Sequence, residues 1–248
     1  MGARIAADGC RAPKNLARAV AWLASGLVAS GGVAAQNWGG TVSVVSERVS
    51  RGISLSGDQP GATADLYYRD DRNWSLGLGL GTMHGRNGAK AEAILSATRW
   101  WQIDDRRVVT LSGAHYAYAG GGNADRLRYS ELSLGGLWDT AAWGQWGATV
   151  SVSPDLAAYS SWGYLGHRGA TIAELTWHRR LVDALAADLG WGTVSNWGHG
   201  SGSYRFANAG LSYTVGDWRF SASRLYSSLP QRGDPSLQRW VAGVAWSF

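Results

Sequence analysis

Residues 73–83 read Asn73-Trp-Ser-Leu-Gly-Leu-Gly-Leu-Gly-Thr-Met83. Trp74, Leu76, Leu78 and Leu80 occupy every second position, with Ser75, Gly77, Gly79 and Gly81 between them. A helix would scatter a two-residue repeat around its circumference, whereas a strand sends it to one face. The segment therefore reads as a strand with one bulky apolar face and one nearly bare face. The pattern recurs at Leu185, Ala187, Leu189 and Trp191, opposite Ala186, Asp188 and Gly190, and at Trp218, Phe220 and Ala222, opposite Arg219, Ser221 and Ser223. It also runs to the last residue: Trp240, Ala242, Val244, Trp246 and Phe248 alternate with Val241, Gly243, Ala245 and Ser247. A soluble chain usually frays there into a polar tail.

About twelve such segments follow one another, over roughly 41–54, 61–69, 73–83, 90–102, 106–118, 126–138, 142–153, 169–180, 183–194, 203–215, 217–227 and 236–248. Most are about ten residues long, the length a tilted strand needs to cross a bilayer. No convincing amphipathic helix follows residue 36. The connections alternate in length. SGDQPG, HGRNG, AGGGNAD, PDLAAYSSWGYLGHR, SNWGHGSG and SSLPQRGDP are long, whereas RDDRN, IDDRR, DTAA, RLVD and VGD are short. Outer-membrane barrels have this asymmetry, with short periplasmic turns and longer extracellular loops.

The composition agrees. The chain has 35 Gly, 15 Trp and 10 Tyr but only 3 Phe and 2 Met. Trp38, Trp74, Trp100, Trp101, Trp138, Trp143, Trp218 and Trp246 lie beside the expected periplasmic strand ends. Tyr116, Tyr118, Trp191, Trp197, Tyr204 and Tyr226 lie towards the outer ends. Amphipathic rings concentrate at both membrane interfaces. The expected fold is all-β: a transmembrane antiparallel up-and-down barrel of about twelve strands. Such a sheet spans a bilayer only by closing on itself.

The first 35 residues read as a secretory signal peptide. A basic region (Arg4, Arg11, Lys14, Arg18) precedes an apolar stretch too short to span, and Val33-Ala34-Ala35 offers small residues for cleavage. Residues 36–248 would then form the barrel. The formal charge of +5 includes these four basic residues and Asp8, so it falls to about +2 without them, which gives no reason to expect a nucleic-acid partner. The one cysteine, Cys10, precedes the barrel, so neither disulfides nor thiolate metal sites are expected in it. No histidine pair has ligand spacing, and no metal or cofactor is expected.

Two resemblances refine this expectation. Gly243, Trp246 and Phe248 form a Gly-x-x-Trp-x-Phe ending that resembles the C-terminal signal read by the barrel assembly machinery, with Val241 where a polar residue is usual. The stretch VSERVSRGISLSGDQPGATADLYY resembles the opening of the TorF-type porin family. The matching positions are Glu47, Arg51-Gly52-Ile53-Ser54, Pro60 and Tyr67-Tyr68, while Arg48 and Ser50 replace aromatics usual in that family. HYAYAGG (115–121) and YSEL (129–132) are weaker matches. The resemblance implies an outer-membrane porin, surrounded by membrane lipid and lipopolysaccharide.

With Leu66 and Tyr68 facing lipid, alternation turns Thr63, Asp65, Tyr67 and Arg69 inward. The expected lumen residues are Glu47, Arg51, Asp65, Glu92, Glu131, Glu174, Asp188 and Arg219, with Glu47 and Arg51 within reach of each other on one strand face. Twelve strands lie between filled eight-stranded barrels and open sixteen-stranded ones. The expected function is passive diffusion of small hydrophilic solutes or ions. The alternatives are a barrel enzyme acting on lipid acyl chains and a non-conducting structural or adhesion barrel. The latter would use PDLAAYSSWGYLGHR as its first candidate surface. His84, His115, His167 and His199 lie near the outer side among many serines, but no nucleophile motif accompanies them, and no catalytic residue is assigned.

Overall fold

The computed structural model describes residues 37–84, 88–122, 124–160, 163–197, 202–229 and 237–248. The expected leader lies outside them, as does His199. Among these described residues there are fourteen strands: β1 (Trp38–Val45), β2 (Val49–Ser50), β3 (Ile53–Ser54), β4 (Gly61–Arg69), β5 (Trp74–Thr82), β6 (Ala89–Asp104) and β7 (Arg107–Gly120), then β8 (Tyr129–Thr140), β9 (Gly144–Ser160), β10 (Gly163–Arg180), β11 (Leu185–Asn196), β12 (Ser203–Val215), β13 (Trp218–Ser227) and β14 (Leu237–Ser247). Twelve of them, β1 and β4–β14, make one closed antiparallel barrel, each paired with its neighbours in sequence and β1 paired with both β4 and β14. β2 and β3 form a separate two-stranded hairpin.

The decisive segment behaves as its spacing requires. In β5, Trp74, Leu76, Leu78 and Leu80 are exposed on the outside, while Ser75, Gly77, Gly79 and Gly81 are half-buried or buried within. Val42, Val44, Leu66, Leu95, Leu111, Leu132, Leu134, Val150, Leu175, Leu189 and Leu211 continue the same outer surface. An apolar belt running round the molecule far exceeds the patches that water-soluble monomers expose, and suits contact with hydrocarbon. Small inward residues allow close packing across the wall. A Cβ on Gly39 would lie 2.5 Å from Cζ of the inward Tyr67, and one on Gly192 would lie 2.3 Å from Cζ of Phe206.

At the short-turn end the indoles line up in register on the outer face. Trp146 lies opposite both Trp138 and Trp177, Trp218 lies opposite Trp246, and Trp38 lies opposite Tyr68. Arg99 points outward among them, with its guanidinium over Trp74 and Trp101 at 5.6 and 5.8 Å from the ring centres. The turns themselves are held by aspartates. Asp70 Oδ1 accepts the N–H groups of Arg72 and Trp74 at 3.0 and 2.8 Å, and Asp104 Oδ1 accepts that of Arg106 at 2.8 Å.

Three expectations are corrected. The first strand ends at Val45, not near residue 54, because residues 46–60 fold separately. The stretch 154–168 is largely strand, since β9 and β10 continue past their neighbours as a long paired ribbon. Its turn-like residues mark a bulge: pairing skips from Ala170–Ser153 to Arg168–Leu156, which leaves Pro154 and Asp155 without register partners. A bulge tolerates a proline that could not donate to a regular ladder. Finally, Trp100, Tyr116, Tyr118 and Tyr204 belong to the inner face. Trp100, Tyr116 and Tyr118 keep the parity of the buried Glu92 across the β6–β7 register, and Tyr204 shares the parity of the buried Ser212. Alternation places a ring at the right height, but parity decides which side it occupies.

Replacing the outward Leu78 by Arg should cost about 2–4 kcal/mol, the range for a basic residue on the lipid face near mid-bilayer. Urea titration of folding into phospholipid vesicles, followed by tryptophan fluorescence, measures it.

Candidate functional site

Beyond β1 the chain turns into the barrel before returning as β4. Val49 pairs with Ser54 and Ser50 with Ile53, and the reversal between them is made by Arg51 (φ 47°) and Gly52 (φ 74°). Two successive positive φ values are those of the tight turn favoured in two-residue hairpins, where glycine bears no steric cost. Gly52 is required on a second count. A Cβ there would lie 2.7 Å from Ser227 Cβ on β13 and 2.9 Å from Phe206 Cβ on β12. The hairpin tip thus presses against the inner wall.

The hairpin's backbone is secured by its own loop. The Arg48 N–H donates to Ser56 Oγ at 2.8 Å, Ser56 Oγ donates to the Gln59 carbonyl at 2.5 Å, and the Leu55 N–H donates to the Arg48 carbonyl at 2.7 Å. Ser56 is fully buried. The Leu55 carbonyl then accepts the His84 N–H at 2.9 Å, tying the loop to the end of β5.

Charge fixes the rest. Arg51 extends to Glu131 on β8 in a two-pronged pair, Nη2 to Oε2 being 2.9 Å, and its Nε lies 3.4 Å from Glu174 on β10. Burial works against the charge of Arg51, but the two carboxylates more than offset it and hold its pKa well above the ordinary arginine value. Arg48 pairs with Glu92 on β6 and donates to the Thr82 carbonyl at 2.9 Å. Arg239 on β14 reaches Glu47 at 2.9 Å and also meets Asp58. Beside this network Tyr116 and Tyr129 stack with centroids 4.3 Å apart, and Tyr118 lies 6.4 Å from Tyr129.

A second polar cluster sits nearer the short turns. Asp188 on β11 accepts from Ser212 Oγ at 2.8 Å and Arg219 Nη2 at 3.0 Å, and lies 2.8 Å from His178 Nδ1. Arg219 also donates to Ser212 Oγ at 2.9 Å.

The structure therefore places Asp65, Glu92, Glu131, Glu174, Asp188 and Arg219 on inner strand faces, and Glu47 and Arg51 in the infolded loop. It corrects the expected Glu47–Arg51 contact: the two residues are not on one strand face, and each pairs elsewhere, with Arg239 and with Glu131 and Glu174. Arg48, Asp58, His178 and Arg239 are additions. Arg239 was legible, since it shares the parity of Val241 and Gly243. Arg48 was not, because nothing local tells an infolded loop from a solvated one. Gly243 faces inward, while Trp246 and Phe248 face outward at the short-turn end, their rings 5.1 Å apart.

His115 Nδ1 lies 2.9 Å from Ser130 Oγ. Asp155 Oδ1, however, accepts the Ser130 backbone N–H at 3.0 Å. The carboxylate thus holds the serine's main chain and does not orient the imidazole, as a Ser–His–acid relay needs. Among the described residues no group of three His, Cys, Asp or Glu side chains is arranged to hold a metal ion.

Substituting Glu131→Gln, which leaves Arg51 with Glu174 alone, should destabilise the fold by about 3 kcal/mol, the lower end for breaking a buried pair. It should also expose residues 46–60 to proteolysis from the long-loop side, as limited digestion of vesicle-inserted protein would report.

Among solved structures, the chain is similar to the NanC porin, with 11% identity, coverage of 84% of this chain and 98% of that one, and a TM-score of 0.56. It is similar to the KdgM porin at 11% identity, covering 85% and 99% with a TM-score of 0.53. An outer membrane channel from Pseudomonas putida F1 aligns at 11% identity over 85% of this chain and 95% of that one, with a TM-score of 0.50. No family model and no curated protein matches the chain. At these identities the likeness is one of fold: a closed antiparallel barrel of porin type with transmembrane strands.

Proposed function

We propose that the protein is a narrow channel of a bacterial outer membrane, through which small hydrophilic solutes or ions diffuse passively. The observation that carries this reading is the contrast between the two faces of one sheet. Outside is a continuous apolar belt; inside are glycines, serines, threonines and a charged network mounted on an infolded hairpin. A loop that enters a barrel from its mouth narrows the water column, and charges on its rim choose among solutes by size and sign. Glu47, Arg51, Asp65, Glu92, Glu131, Glu174, Asp188 and Arg219 line that passage in this reading, and no cofactor or bond-making chemistry is needed.

The resemblance of residues 45–68 to the TorF-type porins supports this reading, and the infolded hairpin lies within that stretch. Export through residues 1–35, insertion by the barrel assembly machinery at Gly243, Trp246 and Phe248, and a surround of lipid and lipopolysaccharide belong to the same proposal. A non-conducting barrel is the second reading, favoured by the Arg51 bridge between β8 and β10.

Purified protein in a planar bilayer should show small discrete conductance steps. Replacing residues 49–54 with Gly-Gly should enlarge them by removing the hairpin. Wild-type protein with no steps above background, while the shortened variant conducts, would establish the closed barrel; silence from both would end the channel reading.

A further inference from the structure

The charges around the hairpin do not cancel. Three guanidiniums lie there, those of Arg48, Arg51 and Arg239. Arg51 is shared between Glu131 and Glu174, and Arg239 between Glu47 and Asp58. Arg48 pairs with Glu92 and lies on the same inner face as Asp65. The last relation is visible in the wall. A Cβ on Gly79 would lie 2.8 Å from Asp65 Oδ1, and one on Gly81 would lie 2.4 Å from Arg48 Cζ, so carboxylate and guanidinium rest over successive bare positions of one inner face. Arg51 and Arg239 thus each meet two carboxylates, and Arg48 meets one while lying beside Asp65, so this network of contacts joins six acids to three bases.

The arrangement of those acids is regular. Asp65, Glu92, Glu131 and Glu174 stand on β4, β6, β8 and β10, one inward carboxylate on each of four alternate strands. Towards the short turns the named charges lean the other way, with one carboxylate to two guanidiniums. Asp188 is matched by Arg219, with His178 beside it, and Arg69 stacks over Tyr67 at 4.8 Å. The excess of negative charge is therefore concentrated where the hairpin narrows the passage.

We propose that this ring selects small cations: inorganic monovalent ions and compact ammonium-bearing solutes enter, and anions are excluded. Low-dielectric walls focus the field of an unbalanced ring into the water column and draw counter-ions to it. A mobile cation supplies the positive charge that the three arginines leave short. The permeation consequence rests on the channel reading, whereas the negative potential of the lumen does not, and two measurements separate them.

In a planar bilayer under a KCl gradient, the reversal potential should correspond to a potassium permeability at least about fivefold above that of chloride. Glu47→Gln and Glu174→Gln should each lower that ratio. Each removes one carboxylate from an arginine that keeps another partner, Asp58 or Glu131, and the ratio is read on variants whose heat-modifiable gel mobility shows a folded barrel. The second measurement needs no current. In a Cys10→Ser background, Ser96→Cys puts a single thiol four residues past Glu92 on the same inner face. A cationic methanethiosulfonate should modify it faster than an anionic one by roughly fivefold, after normalising each to a small free thiol. A cation-biased thiol rate without conductance would end the channel reading and leave the lumen charge standing. Equal rates, an anionic preference, or a chloride-selective current would overturn the inference itself.

Discussion

A backbone that crosses hydrocarbon has no water to receive its N–H and C=O groups, so each must pair within the protein. Here the requirement is met by joining the first barrel strand to the last. β1 lies against β14 over Thr41–Val45, and Gly40 and Phe248 exchange both backbone bonds at 3.0 Å. Once the sheet closes it has no edge, and every side chain is assigned to one of two environments by parity alone. The leucine belt, the indoles at the short-turn end and the inward glycines all follow from that division.

Closure creates a second problem, because twelve strands enclose more space than side chains of this size fill. The inner face is rich in Gly, Ser and Thr, and the volume is taken up instead by residues 46–60. A loop has no periodic ladder to fix it, so the hairpin is positioned by steric fit at Gly52 and by ion pairs from Arg48, Arg51 and Arg239. Ion pairs of this kind contribute modestly to stability once desolvation is counted, but a misplaced charge in a confined space is costly. Their role here is to define one position for the hairpin.

Much of the wall was legible in the sequence. Gly61–Arg69 was expected as 61–69, and the alternation at 73–83 assigned each side chain of β5 to its side. The failures have physical causes. The 154–168 stretch carries Pro, Gly and Ser, which read as a loop, yet a bulge lets the ribbon absorb Pro154 and continue. Tyr116 and Tyr118 were placed at the outer interface by height and residue type, but a one-residue difference in parity turns them towards Glu131 and Glu92. The Glu47–Arg51 contact was expected from spacing within a strand that ends before either residue.

By itself the sequence determined the class of fold, the number of barrel strands and the two faces of most of them. These depend on a local two-residue period and on turn chemistry, which neighbouring residues carry. Only the tertiary structure decided that residues 46–60 fold into the barrel, and that acids from β4, β6, β8 and β10 gather around three arginines. Those contacts join positions as far apart as Glu47 and Arg239, brought together by strand order and closure rather than by any pattern within a segment.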